Sequence, residues 1–359
     1  MKRKKKPLVR KKTNKPLSAQ LKARVQKPFS VKKEGYEGNT ETMISTGSTL
    51  LDLAISGGRK RGGGIPGGIL LEAFGPNGSG KTVVLCEIAG AIQRLGGDVQ
   101  FNDPEARLNK QFAKMFDFDT DNIEINEPDT VTEVFDALRK WEPKGKAEVS
   151  GVLTDSLAAL STDMEMEKEE GDKLGMRRAK EFSEGLRKAC RLIKKNNYIM
   201  ACSNQIRENA GGTTYGEKFT VPGGKAIGFY SSIRLRFHTP EKIRKSRTIG
   251  GKEVKKVIGV KTKVEVYKNS CDAPYRTADL YILFDYGVDD IRANLQYLKD
   301  YSKNTMYCIE EVQLSKSLDD AVRIVEQGQL EDDLRVAVRD LWEEIEDKFK
   351  VERKKKRRE

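Results

Sequence analysis

The sequence is almost without histidine: His238 is the only one in 359 residues. No imidazole pair is at hand for acid–base catalysis, and no His-rich metal site can form. The five cysteines (Cys86, Cys190, Cys202, Cys271, Cys308) are scattered, with no C-x-x-C pair. That spacing argues against a zinc site or a disulfide framework and fits a reducing, cytoplasmic setting. Nowhere do 18 apolar residues run together, so no membrane-spanning helix is expected. The opening Met1-Lys-Arg-Lys-Lys-Lys-Pro7 is basic but has no apolar stretch after it, which argues against a secretory signal. No repeat of 20–50 residues recurs.

Charge, by contrast, is abundant. The net charge of +13 points to an anionic partner, nucleic acid first. It is concentrated at the ends. Residues 1–40 hold 14 Lys/Arg against Glu34 and Glu37, and residues 348–359 hold 8 against Glu352 and Glu359. Like-charge runs at chain ends commonly bind polyanions. A further basic stretch covers 234–263, with 11 Lys/Arg against Glu241 and Glu253.

Between the ends, short apolar runs alternate with helical patterns. Ile69–Phe74, Val99–Asn102, Ile123–Ile125, Gly151–Thr154 and Tyr198–Cys202 read as strands. Lys81–Leu95, Leu108–Phe116, Val131–Trp141 and Met176–Lys195 read as helices, and a short helical candidate lies near Leu17–Lys27. Such alternation predicts an α/β core with a mainly parallel sheet covered on both faces. Ser231–Phe237, Gly259–Tyr267 and Ala278–Phe284 read as further strands. After Asp289 the chain turns acidic, and Leu330, Leu334, Val338, Leu341, Ile345 and Phe349 recur at helical spacing. The expected organisation is a basic arm over 1–41, a core over 42–289, a small, mostly helical domain over 290–349 and a basic tail over 350–359.

One motif carries specific chemistry. Gly75-Pro76-Asn77-Gly78-Ser79-Gly80-Lys81-Thr82-Val83 satisfies G-x-x-x-x-G-K-[ST], between an apolar strand and a helix. Glycines let backbone N–H groups curl around phosphate oxygens, Lys81 is suited to the β- and γ-phosphates, and Thr82 to Mg²⁺. ATP with Mg²⁺ is the expected cofactor set. Asp155, ending the strand Gly151–Thr154, suits the second metal-side carboxylate. Glu105, just past Val99–Asn102, is the best-placed group to deprotonate water. Read alone, it is equally a solvated loop glutamate.

Six segments in order over about 250 residues resemble the bacterial RecA family of DNA recombinases, a P-loop fold. They are Ile44–Asp52, Gly75–Thr82, Asn102–Asn109, Thr154–Leu160, the pair Asn204–Arg207 and Gly223–Tyr230, and Val266–Asn269 with Ala273-Pro274. The resemblance implies an ATPase that forms helical filaments on single-stranded DNA and pairs it with double-stranded DNA. It implies that Phe112 stacks on adenine with Asn109 beside the base, that Gln205 senses the γ-phosphate, and that Lys268 reaches the neighbouring subunit's ATP. DNA contacts are implied in two loops, 164–174 and 207–222, and beside them: Arg177, Arg178, Arg207, Gly211, Gly212, Thr213, Thr214, Lys218, Gly223, Gly224 and Lys225. Ser270 stands where the family carries a second lysine, and the basic ends do not match its arm or its acidic tail. Two alternatives share the core: a regulatory paralogue with weak ATPase, and a hexameric helicase. The complete site argues against the first, and the Lys268 segment against the second.

Overall fold

Every residue of Ile69–Gly75 is buried, as are all of Gly151–Thr154 and all but Gln205 of Ile199–Gln205, as befits a parallel sheet covered on both faces. The structure, a computed structural model, describes residues 41–145, 147–161, 174–208, 219–220 and 224–353. For 174–179, 207–208, 219–220 and 224–225 the description is of the backbone.

In chain order, Met43–Ile44 (β1) pairs antiparallel with Ile65–Pro66 (β2) around the helix Thr49–Ser56 (α1). Then follow Ile69–Gly75 (β3), Lys81–Arg94 (α2), Val99–Asn102 (β4), Lys110–Lys114 (α3), Glu124–Asn126 (β5), Val131–Lys140 (α4) and Gly151–Thr154 (β6). Leu174–Asn196 (α5), Ile199–Gln205 (β7), Arg207–Glu208 (β8), Phe219–Thr220 (β9) and Gly224–Tyr230 (α6) lead to an antiparallel flank. That flank is Ile233–Phe237 (β10), Glu241–Ile249 (β11), Lys252–Asn269 (β12), Thr277–Leu283 (β13) and Gly287–Val288 (β14). The sheet order is β14-β13-β12-β10-β3-β7-β6-β4-β5, with β11 on β12. From β10 to β5 all neighbours are parallel. One buried cluster joins α1 and α2 to the sheet, and a second joins α4, α5 and α6 to its other face.

The α/β architecture agrees with the sequence reading, with local differences. The helix expected over Leu108–Phe116 shrinks to α3, because the Asn109 side chain accepts from the N–H groups of Gln111 and Phe112 and starts the helix there. β5 is displaced by one residue from Ile123–Ile125. The strand expected over Gly259–Tyr267 is the inner part of β12, whose outer half pairs with β11 as a charged, solvent-exposed ribbon. With both faces wet, that ribbon carries no alternation to read.

The C-terminal region holds Asp290–Asp300 (α7), Leu318–Gly328 (α8) and Glu331–Lys348 (α9), plus a small hairpin of Tyr307–Ile309 (β15) and Val312–Ser315 (β16). Its buried residues, among them Leu295, Val325 and Val338, belong to the same cluster as α1 and β13. Asp290 ties the two parts, accepting from Thr49 N and Thr49 Oγ1, both at 2.7 Å. Phe349, placed on the apolar stripe by its spacing, lies beyond α9 and is 84% exposed, while Trp342 takes the buried position. No helix among the described residues is long and apolar enough to cross a membrane.

Candidate nucleotide-binding site

β3 lies where the strand order reverses, between β7 and β10. Ligands of open α/β sheets bind beyond the carboxyl ends of strands at such a point. Gly75–Gly80 leaves β3 there and enters α2. Gly80 has φ +96°, and a Cβ on it would lie 2.3 Å from the Ile282 side chain, so only glycine fits. No side chain caps α2. Its first N–H groups are therefore free of the usual capping oxygen and suited to an anion.

Lys81 is buried, and its ammonium donates to the carbonyls of Gly75 (3.1 Å) and Pro76 (2.8 Å). Burial pushes its pKa down, while the carboxylates of Asp155 and Glu105 pull it back up. Thr82 Oγ1 donates to Asp155 Oδ2 at 2.6 Å, and Ser203 Oγ donates to the other oxygen of the same carboxylate. A hydroxyl and a carboxylate side by side suit a hard cation that keeps phosphate and water oxygens as its other ligands. Glu105 lies in this group, not out in solvent: Ser156 Oγ donates to its Oε1 at 2.9 Å, and Arg107 pairs with its Oε2 at 2.5 Å. Gln205, at the end of β7, is in register with Gly75.

A cleft of about 360 Å³ adjoins the loop. It is lined by residues 78–83 and by Phe112, Met115, Phe116, Val260, Ile282, Leu283, Phe284 and Gly287. Asn109 is exposed and not among the lining residues. Phe284, just past the end of β13, has no local sequence signal.

A family model described as the RecA N-terminal domain matches residues 20–289. The chain is 33% identical to Protein RecA of Clostridioides difficile over 315 residues, covering 86% of this chain and 82% of that one. It is 36% identical to Protein RecA of Clostridium novyi, covering 74% and 72%, and 35% identical to that of Symbiobacterium thermophilum, covering 68% and 66%. The chain belongs to the RecA family. As a RecA-family protein it is an ATP-dependent recombinase, with DNA-dependent ATP hydrolysis as its enzymatic activity.

The RecA core here contains a polar row that sequence reasoning did not find. Glu72 of β3 is in register with Arg234 of β10, and Arg234 with Lys268 of β12. Glu72 has 0% exposure; Arg234 Nε pairs with it at 2.6 Å, and Asn204 Nδ2 donates to it at 3.1 Å. The Arg234 guanidinium also lies 4.5 Å from the Phe74 ring centre. Lys268 donates to the carbonyls of Gly228 (2.9 Å) and Phe229 (2.8 Å) at the end of α6. Burial, then the neighbouring Arg234, lowers its pKa. Arg234→Met, which leaves Glu72 buried and unpaired, is expected to destabilise the fold by about 3–5 kcal/mol. Urea unfolding checks this; a loss under about 1 kcal/mol would show that Glu72 finds another partner.

The expected DNA-contacting residues Gly211, Gly212, Thr213, Thr214, Lys218 and Gly223 lie outside the described residues. So does most of each expected loop. For Arg177, Arg178, Arg207, Gly224 and Lys225 the backbone places the first two in α5, Arg207 in β8 and the last two in α6.

Proposed function

We propose that this RecA-family chain hydrolyses ATP at the cleft beside Gly75–Thr82 while assembled head to tail on DNA. The observation carrying this reading is the convergence of Lys81, Thr82, Asp155 and Glu105 at the ends of β3, β6 and β4. RecA proteins bind DNA and form filaments; single-stranded and double-stranded DNA are the partners proposed here. The loop N–H groups and Lys81 bind and orient the triphosphate. Thr82 Oγ1 and Asp155 are the residues that would hold Mg²⁺, which when bound neutralises phosphate charge. Glu105, fixed by Ser156, accepts the proton of the attacking water at a carboxylate oxygen. Gln205, in register with Gly75, bonds the terminal phosphate in this reading, and Phe112 stacks on the base.

Within its own chain Lys268 reaches the α6 carbonyls. It is not among the residues lining its own chain's cleft, and its proposed target is the neighbouring subunit's nucleotide. The neighbouring Ser270 supplies no second positive charge, and its N–H donates to Ser232 O. The exposed β11–β12 ribbon presents Lys242, Arg244, Lys245, Arg247, Lys252, Lys255 and Lys256, which favours a polyanionic partner.

Mixing Lys268→Ala protein with Lys81→Ala protein tests the shared site. Head-to-tail contacts pair copies at random, so about a quarter of interfaces in an even mix join an intact loop to an intact Lys268. Turnover is expected to recover to that order, above either variant alone. No recovery in co-assembled filaments would place the whole site in one chain.

A further inference from the structure

We propose that the joint between the core and the C-terminal region is a proton-operated latch: with Glu87 protonated the joint stays closed, and ionisation of Glu87 beside Asp52 and Asp290 loosens α7 and α9 from the core.

Three acidic side chains reach one cavity of about 1170 Å³ from three elements: Asp52 from α1, Glu87 from α2 and Asp290 from the start of α7. Glu326 of α8 and Arg335 of α9 also line it, so the cavity runs along the seam between the core and the C-terminal region. Asp52 is buried and takes three hydrogen bonds from the turn between β1 and α1: Ser45 Oγ at 2.6 Å, Thr46 N at 2.8 Å and Thr46 Oγ1 at 2.7 Å. Asp290 accepts from Thr49, at the head of the same helix. Glu87 has no such donor among the described residues. Its carboxyl is pressed against Gly47 of that turn, where an added Cβ would lie 2.5 Å from the carboxyl carbon. No counter-ion fits on that side.

The cations around the cavity are engaged elsewhere. Arg335 lies 3.6 Å from Asp290 and 3.1 Å from Asp332. Arg94 pairs with Asp117 at 3.4 Å, Arg61 with Asp340 and Glu343, and Lys60 donates to Glu41 O. The Arg339 guanidinium packs over Gly62. Among the described residues no Lys or Arg pairs with Asp52 or Glu87. Glu41, Asp117, Glu326 and Glu331 add negative charge to the same lining, and Tyr286 is its remaining titratable group.

A buried carboxyl with no cation partner favours its neutral form. Burial pushes Glu87 up to about 7; Arg94 pulls it down, while Asp117, Asp290 and Asp52 push it further up. Burial also pushes Asp52 up to about 7, against its three donors and with the charge of Asp290. Asp290 is raised by burial too, opposed by Thr49 and Arg335. A free glutamate ionises near 4.5, so the open joint loses the Glu87 proton there and the closed joint keeps it to about 7. The stabilisation is therefore complete below 4.5 and is lost as pH rises through about 7. Three like charges from α1, α2 and α7 then face one another across the seam.

The test is hydrogen exchange of the full chain between pH 6 and pH 8, corrected for the intrinsic rise in exchange rate. Amides of α7 and α9 should exchange through an opening that leaves β3 protected, and its equilibrium constant should rise about tenfold over that interval. In Glu87→Gln, and in the apolar Glu87→Met, the rise should vanish. An infrared difference spectrum between the two pH values should show the C=O band of a carboxylic acid disappearing in wild type and not in either variant. Equal rises in wild type and both variants would overturn the latch. So would α7 exchanging only together with β3, or the absence of a Glu87-dependent carboxylic acid band at pH 6.

Discussion

Lys81→Ala is expected to abolish DNA-stimulated ATP hydrolysis, and with it any filament that depends on ATP. The lysine is buried in a mouth formed by its own loop, and its charge is the one that Asp155 and Glu105 both face. Taking it away leaves those two carboxylates turned towards a polyanionic substrate with one buried positive charge fewer between them. Loss of one preorganised donor costs about 10²–10³-fold in kcat, and here ground-state binding of the triphosphate weakens as well. The fold is expected to survive, because the apolar face of α2, including Val84, Leu85, Ile88 and Ile92, is untouched. Phosphate release with saturating single-stranded DNA is the measurement, with thermal unfolding as the control. Ordinary turnover by a folded variant would remove the loop from the reaction.

The second large effect separates chemistry from binding. Glu105→Gln keeps the size of the side chain and an oxygen for the Ser156 hydroxyl, whose bond to Glu105 is 2.9 Å long. It forfeits the carboxylate that takes the water's proton. Turnover is expected to fall about 10²–10⁴-fold, with nucleotide affinity nearly unchanged. The ion pair to Arg107 is lost too, but that arginine is 79% exposed and the pair contributes little. Complexes of the variant with ATP and DNA should be long-lived. Equal turnover in wild type and variant would exclude Glu105 as the base.

Legibility followed sequence distance. The loop, Lys81 and Thr82 form one segment whose spacing states its chemistry. Asp155 and Glu105 end short apolar runs, and parallel strands deliver such ends to one edge of the sheet. The apolar wall did not show, because Val260, Ile282 and Phe284 enter from strands more than 170 residues beyond the loop and look like ordinary strand residues. Asn109, which the resemblance puts beside the base, also caps α3 with its side-chain oxygen, a role that its type and position make legible. Phe349 followed the spacing of α9 to a point where the helix had already ended. The β11–β12 ribbon escaped notice because a strand with no buried face has no apolar period.

The pair of Glu72 and Arg234 constrains how this protein can change over generations. Arg234 and Asn204 both bond the Glu72 carboxylate, while Lys268 turns to the α6 carbonyls, so removing Arg234 strands that carboxylate in the centre of the sheet. An all-apolar replacement of Glu72 and Arg234 together can be as stable as the original, but every single-step route to it crosses a poorly folded intermediate. The two positions are therefore evolutionarily locked to each other. Among descendants of this chain they should either both persist or both be lost.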